Sequence, residues 1–86
     1  MEKPNMEKPK EYKCNDFYQA VILKTAGVPL IRLEKTTERF FNFVFDDPEE
    51  NVKNIISQYW NNKLKVDARD LIESINELKT RIHSGV

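Results

Sequence analysis

Only one cysteine, one histidine and two glycines occur in the 86 residues, and opposite charges balance at 14 each. Each scarcity excludes something. With Cys14 alone, no intramolecular disulfide can form, nor a zinc site built on several thiolates. With Gly27 and Gly85 alone, no glycine-rich phosphate loop exists. A formal charge of zero gives no global field toward nucleic acid or an anionic membrane, so non-specific DNA coating, which rests on many cations, is not expected. The N-terminus "MEKPNMEKPK" lacks the apolar core of a signal peptide, and no run approaches the ~18 apolar residues of a membrane span. A soluble, cytoplasmic protein is the expectation. An apolar share of 40% suffices for one core in a chain this short, whose stability margin is thin.

What is present is ordered by period. Residues 1–13 read as a disordered tail ahead of a single domain over 14–86. Pro4 and Pro9 interrupt any helix there, and the repeated "MEKP" makes Met6 a second candidate start beside Met1. "NDFYQAVILKTAG" reads as a helix capped by Asn15, with Asp16 in its first turn, Gly27 ending it in a left-handed turn and Pro29 beyond. Alternation over Leu30–Lys35 and Phe40–Phe45 signals two half-buried strands. The polar "TTER" joins them as a hairpin with a loose tip, since no Asn-Gly or Asp-Gly is present. Ile31, Leu33, Phe41, Phe43 and Phe45 should share one face, with Phe40, Val44, Arg32, Glu34 and Asn42 on the other.

In "DDPEENVKNIISQYW", Asp47 reads as an N-cap, Pro48 as the first helical residue and Glu50 as part of a capping box. Val52, Ile55, Ile56, Tyr59 and Trp60 make one apolar stripe, stopped by Asn61 and Asn62. "KLKV" reads as a short strand or an extended link. Asp67 caps a last helix carrying Leu71, Ile75, Leu78 and Ile82, which Gly85 can close. The fold class expected is α+β, in the order α-β-β-α-(β)-α, with an antiparallel hairpin packed against three helices.

For chemistry the residues offer little. His83 lies near the chain end, where a surface role is expected. Cys14 precedes a helix N-terminus, a position that can lower a thiol pKa, but nothing else marks it as reactive. The acidic group Asp46, Asp47, Glu49 and Glu50 lacks the glycine bend of a hard-cation loop, and capping accounts for Asp47 and Glu50. No catalytic residue, metal ligand or cofactor site is expected. The hairpin face, with Arg32 and Phe40, could accept bases or a partner strand, but Glu34 and Glu38 offset its charge.

The segment "QYWNNKLKVDAR" is the part that folding alone does not account for. Core packing is the expectation for Tyr59 and Trp60, which end the stripe. Two outward lysines serve no turn, so Trp60, Lys63, Lys65 and Arg69 form the candidate partner-binding set.

The blocks "DFYQAVILKTAG", "FNFVFDDPEE" and "YWNNKLKVDARDLIESINELK", in that order, resemble a family of small uncharacterised prokaryotic domains that occur in bacterial, archaeal and phage genomes. The matching positions are Asp16, Phe17, Tyr18, Ala20, Gly27, Phe43, Phe45, Tyr59, Trp60 and Val66 to Arg69, within residues 15–82. The resemblance implies this architecture and a prokaryotic or mobile-element origin, and carries no active site. The function expected is a non-enzymatic binding or adaptor module with an unknown protein partner and no membrane. A second copy of the chain is the homodimer alternative. The rival expectation is a small DNA-binding accessory protein, its second and third helices forming a distorted helix-turn-helix. Against it stand the long link from Asn61 to Asp67 and the acidic opening "DARDLIESINE". An enzyme is a distant third.

Overall fold

The computed structural model describes residues 10–37 and 40–84. The elements run β1 (Glu11–Cys14), α1 (Phe17–Thr25), β2 (Leu30–Lys35), β3 (Phe41–Asp46), α2 (Val52–Trp60) and α3 (Ala68–His83). The α+β class, the hairpin and the three helices are as expected. The strands form one antiparallel sheet in the order β1-β3-β2.

Of the two readings of "KLKV", short strand or link, the link is the one observed. Residues 63–67 form an extended link without strand pairing. The extra strand is β1, with Tyr12 opposite Phe45 and Cys14 opposite Phe43. The expected tail over 1–13 is therefore corrected at its inner end, because residues 11–13 belong to the sheet, while residues 1–9 and Met6 lie outside the described residues. The same holds for Gly85; α3 ends on Ser84, whose N–H reaches back to Thr80.

One face of the sheet carries the core. Cys14, Phe43 and Phe45 meet Ala20, Val21 and Leu23 of α1, Val52 of α2 and Leu78 of α3, all buried. On β2, Leu33 lies opposite Phe43 and Leu30 opposite Phe45, and the register shifts between Leu30 and Arg32. Ile31 is therefore not the inward residue expected: it occupies the irregularity and is exposed. A bulge turns one residue out of the alternation and twists the edge, which hinders pairing by another chain.

The opposite face holds Val44 between Lys13 on β1 and Arg32 on β2. Val44 is fully buried there, under an ion-pair ladder. Arg32 donates to both carboxylate oxygens of Glu11 at 3.0 and 3.1 Å and to Glu34 at 2.9 Å, and Lys13 meets Glu34 at 3.2 Å. Long charged side chains cover apolar surface with their stems while their heads stay wet. Phe40, expected beside Val44, instead lies exposed at the hairpin tip, over a cavity shared with Phe17 and Phe41.

Helix ends also differ in detail from expectation. The N-cap of α1 is Asp16, not Asn15: its Oδ1 accepts from the N–H groups of Tyr18 and Gln19. Gly27 closes α1 at φ 100°, with Val28 N–H bonded to Leu23 and Gly27 N–H to Lys24, the paired bonds of a Schellman end. Helix α2 starts later than expected, because Pro48 and Glu49 form a turn and Glu50 adopts φ 57°. Asp47 still caps it, across that turn, by accepting from Asn51 and Val52 N–H at 2.7 and 3.4 Å. Glu50 closes no capping box and pairs with Lys10. Asn62 at φ 60° ends α2 as expected, and Asp67 caps α3 as expected.

Candidate functional site

Along α2 the burial of the apolar stripe fades. Val52 is 1% exposed, Ile55 and Ile56 are half-buried, Tyr59 is 40% exposed and Trp60 72%. The expectation that Tyr59 and Trp60 pack into the core is thus overturned. The periodicity of the stripe is intact, but the last turn of α2 runs past the buried cluster, and a periodic pattern does not record where the core ends.

The exposed end of α2 instead faces the first turn of α1. Tyr18, 65% exposed, joins Tyr59 and Trp60 around a cavity of about 70 Å³. Ile22 and Ile56 form its apolar lining, and Asp16 and Gln19 its polar rim. The Tyr59 and Trp60 rings meet edge to face, with centroids 5.2 Å apart at 67°, and Tyr18 is held the same way by Phe17, at 5.2 Å and 82°. Gln19 is fixed by the Tyr12 hydroxyl, which donates to its Oε1 at 2.9 Å. Burial pushes the Tyr12 hydroxyl pKa upward, which keeps that donor protonated.

The candidate set divides. Trp60 lines this cavity; Lys63, Lys65 and Arg69 do not. Lys63 and Lys65 stand exposed on the link, on either side of half-buried Leu64, and the Lys63 N–H closes α2 onto Gln58 at 2.8 Å. Arg69 meets Glu73 at 3.3 Å across one turn of α3. Sequence reasoning missed Tyr18, Asp16 and Gln19 as site residues. The available signal was that Tyr18 and Ile22, four residues apart on α1, share a helix side distinct from that of the buried Ala20, Val21 and Leu23.

Other features place the remaining chemistry. The Cys14 thiol is buried and donates to the Asp16 carbonyl at 3.3 Å. Burial pushes its pKa up, against the lowering that a helix N-terminus alone suggests. His83 is exposed at the end of α3. A larger polar groove between α1 and α3 is lined by Lys24, Asp70, Glu73 and Glu77, with Lys24 spanning it to Glu77 at 3.3 Å. Among the described residues, no cluster of histidine, cysteine and carboxylate side chains could hold a metal ion, and no helix is long and apolar enough to cross a membrane.

No curated protein and no solved structure matches the chain. Residues 9–84 match the family described as a domain of unknown function, DUF5659, a span that takes in every element from β1 to α3, and the chain belongs to that family.

Proposed function

We propose that this domain is a non-enzymatic binding or adaptor module that meets a protein partner through the aromatic corner of Tyr18, Tyr59 and Trp60. The observation that carries the reading is Trp60, the only tryptophan, 72% exposed at the end of a stripe that begins fully buried. Folding leaves that ring in water, whereas full burial of a large apolar side chain gains roughly 1.5–3 kcal/mol. Tryptophan and tyrosine are the residues that most often dominate interface energetics. Lys63 and Lys65 on the adjoining link supply a basic flank. The buried, protonated thiol of Cys14 and the exposure of His83 at the end of α3 support the non-enzymatic part of the proposal. The prokaryotic or phage setting, and a cytoplasmic location, belong to the same proposal and rest on the resemblance and the composition. Binding to duplex DNA is less favoured: α3 packs on α1 and its start exposes Asp70 and Glu73.

The test is a photo-crosslinking residue introduced at exposed Asn61, beside an intact Trp60, compared with one at exposed Lys79 on α3. The expected result is a discrete adduct from position 61 alone, abolished by Tyr18→Ala while the circular dichroism spectrum is unchanged. Equal labelling from both positions sinks the reading. Sedimentation at two concentrations then tells whether the adduct is a second copy of the chain or a different protein. For Lys63 and Lys65, paired change to Glu is expected to weaken the adduct in low salt and to matter less in high salt, because exposed charges are screened over about 10 Å.

A further inference from the structure

The aromatic cavity is not uniformly apolar, and its one charge indicates what enters it. Among the described residues, Asp16 supplies the only charged side chain in the lining. Its Oδ1 accepts both cap hydrogen bonds, at 2.9 and 3.2 Å, and no described residue donates to its Oδ2. Three aromatic side chains, Tyr18, Tyr59 and Trp60, line the same cavity. Ring faces carry negative electrostatic potential and attract cations. The last turn of α2, which forms one wall, contains no basic residue, and the nearest cations in the chain, Lys63 and Lys65 on the link, do not line the cavity; the negative end of the helix dipole favours a cation there. At the opposite wall, the Asp16 carboxylate outweighs the half-charge of the α1 N-terminus.

We propose that the cavity receives the cationic head of an arginine side chain presented by the partner. This inference rests on the aromatic corner being the binding surface and names the chemistry that the surface selects. An apolar side chain would satisfy the rings and the two isoleucines but would take water from the Asp16 Oδ2 without replacing its hydrogen bond, which is costly. A guanidinium satisfies both: it is flat, weakly hydrated and stacks on aromatic faces while donating to a carboxylate oxygen. The volume agrees, because about 70 Å³ is far below the ~300–1,000 Å³ of cofactor and small-molecule pockets. It suits one side-chain head.

The experiment is a titration of the ¹⁵N-labelled protein with N-acetyl-arginine amide, against the neutral near-isostere N-acetyl-citrulline amide. The expected result is saturable shifts at the Tyr18 and Gln19 amides and the Trp60 indole, with arginine binding at least about fivefold tighter than citrulline. Asp16→Asn should remove most of that preference and keep the helix, because Asn caps as well as Asp; an unchanged amide fingerprint elsewhere checks that. Equal shifts with citrulline, a preference that survives Asp16→Asn, or no saturable shift up to a concentration on the order of 50 mM each overturn the inference. Crosslinking at position 61 reads the underlying proposal separately. An adduct that forms and is lost with Tyr18→Ala, alongside equal arginine and citrulline shifts, leaves the binding surface standing and removes only the guanidinium.

Discussion

Among the described residues, three hold left-handed backbone, and they do so at unequal cost. Gly27 (φ 100°) and Asn62 (φ 60°) are residue types that tolerate it, and each ends a helix. Glu50 (φ 57°) is not, and an L-residue there is strained by roughly 1–2 kcal/mol. A Cβ added at Gly27 would meet nothing within 4 Å, so Gly27→Ala is expected to lose about 1–2 kcal/mol through backbone conformation alone, read as a lower urea midpoint at unchanged slope. Glu50→Gly should move the midpoint the other way, by about 0.5–1 kcal/mol: the strain is relieved, part of the gain is lost to the freer unfolded chain, and the ion pair to Lys10 is exposed on both sides and worth little. Gly27 and Asn62 were legible in the sequence because Gly and Asn announce such turns. Glu50 was not, since glutamate three residues after aspartate reads as a capping box.

Among the elements, α2 and the sheet carry the sharpest tests. The helix is capped from outside its own first turn: Asn51, the residue at its N-cap, makes no side-chain cap bond, while Asp47 accepts from Asn51 and Val52 N–H. Asp47→Ala is therefore expected to cost about 0.5–2 kcal/mol, and Asn51→Ala to stay within about 0.5 kcal/mol; equal losses would show that the cap is wrongly placed. On the solvated sheet face, the hydrogen bonds from Arg32 hold the Glu11 and Glu34 carboxyls below their ordinary range, with Lys13 adding to the effect at Glu34. Carboxyls with a depressed folded pKa stabilise the protein above their unfolded value, about 4.3, and that contribution disappears as pH falls through the folded values. Arg32→Gln should therefore be most damaging near pH 6, and its deficit should shrink toward pH 3 in urea titrations. The remainder at pH 3 measures the cover lost over Val44. Alternation in the sequence placed Arg32, Glu34, Asn42 and Val44 on one face correctly. It could not place Ile31, because a bulge changes the register without changing the residue pattern, and "KLKV" alternates as a strand does while having no partner strand to meet.

At the scale of the whole molecule, the least legible piece is β1. "EYKC" is short and half charged and follows two prolines, so nothing local distinguishes it from a tail; only the sheet gives Tyr12 and Cys14 a reason to point inward. The opposite holds for Trp60, where local periodicity is clear and the global position of α2 leaves the ring outside. Both misreadings have one cause: where the core begins and ends is a property of the packed whole. The consequence for β1 can be measured. It makes β3 the central strand, it places Cys14 against Phe43 and Tyr12 against Phe45, and Lys13 completes the cover over Val44. Loss of these contacts exposes one side of Phe43 and Phe45 on the core face and of Val44 on the other face. At roughly 1.5–3 kcal/mol for each large side chain returned to water, that loss is comparable with the ~5–15 kcal/mol by which small domains are stable. A chain beginning at Asn15 should therefore show no cooperative thermal transition and poor amide dispersion, whereas one beginning at Met6 retains β1 and should melt as a two-state domain. If the shorter chain folds with native dispersion, β1 is an accessory edge and the core is complete within the hairpin and the three helices. The arginine titration sharpens the outcome, since Tyr12 donates to Gln19 at the rim of the aromatic cavity: a shorter chain that folds yet loses the arginine-dependent shifts would assign β1 to shaping the site.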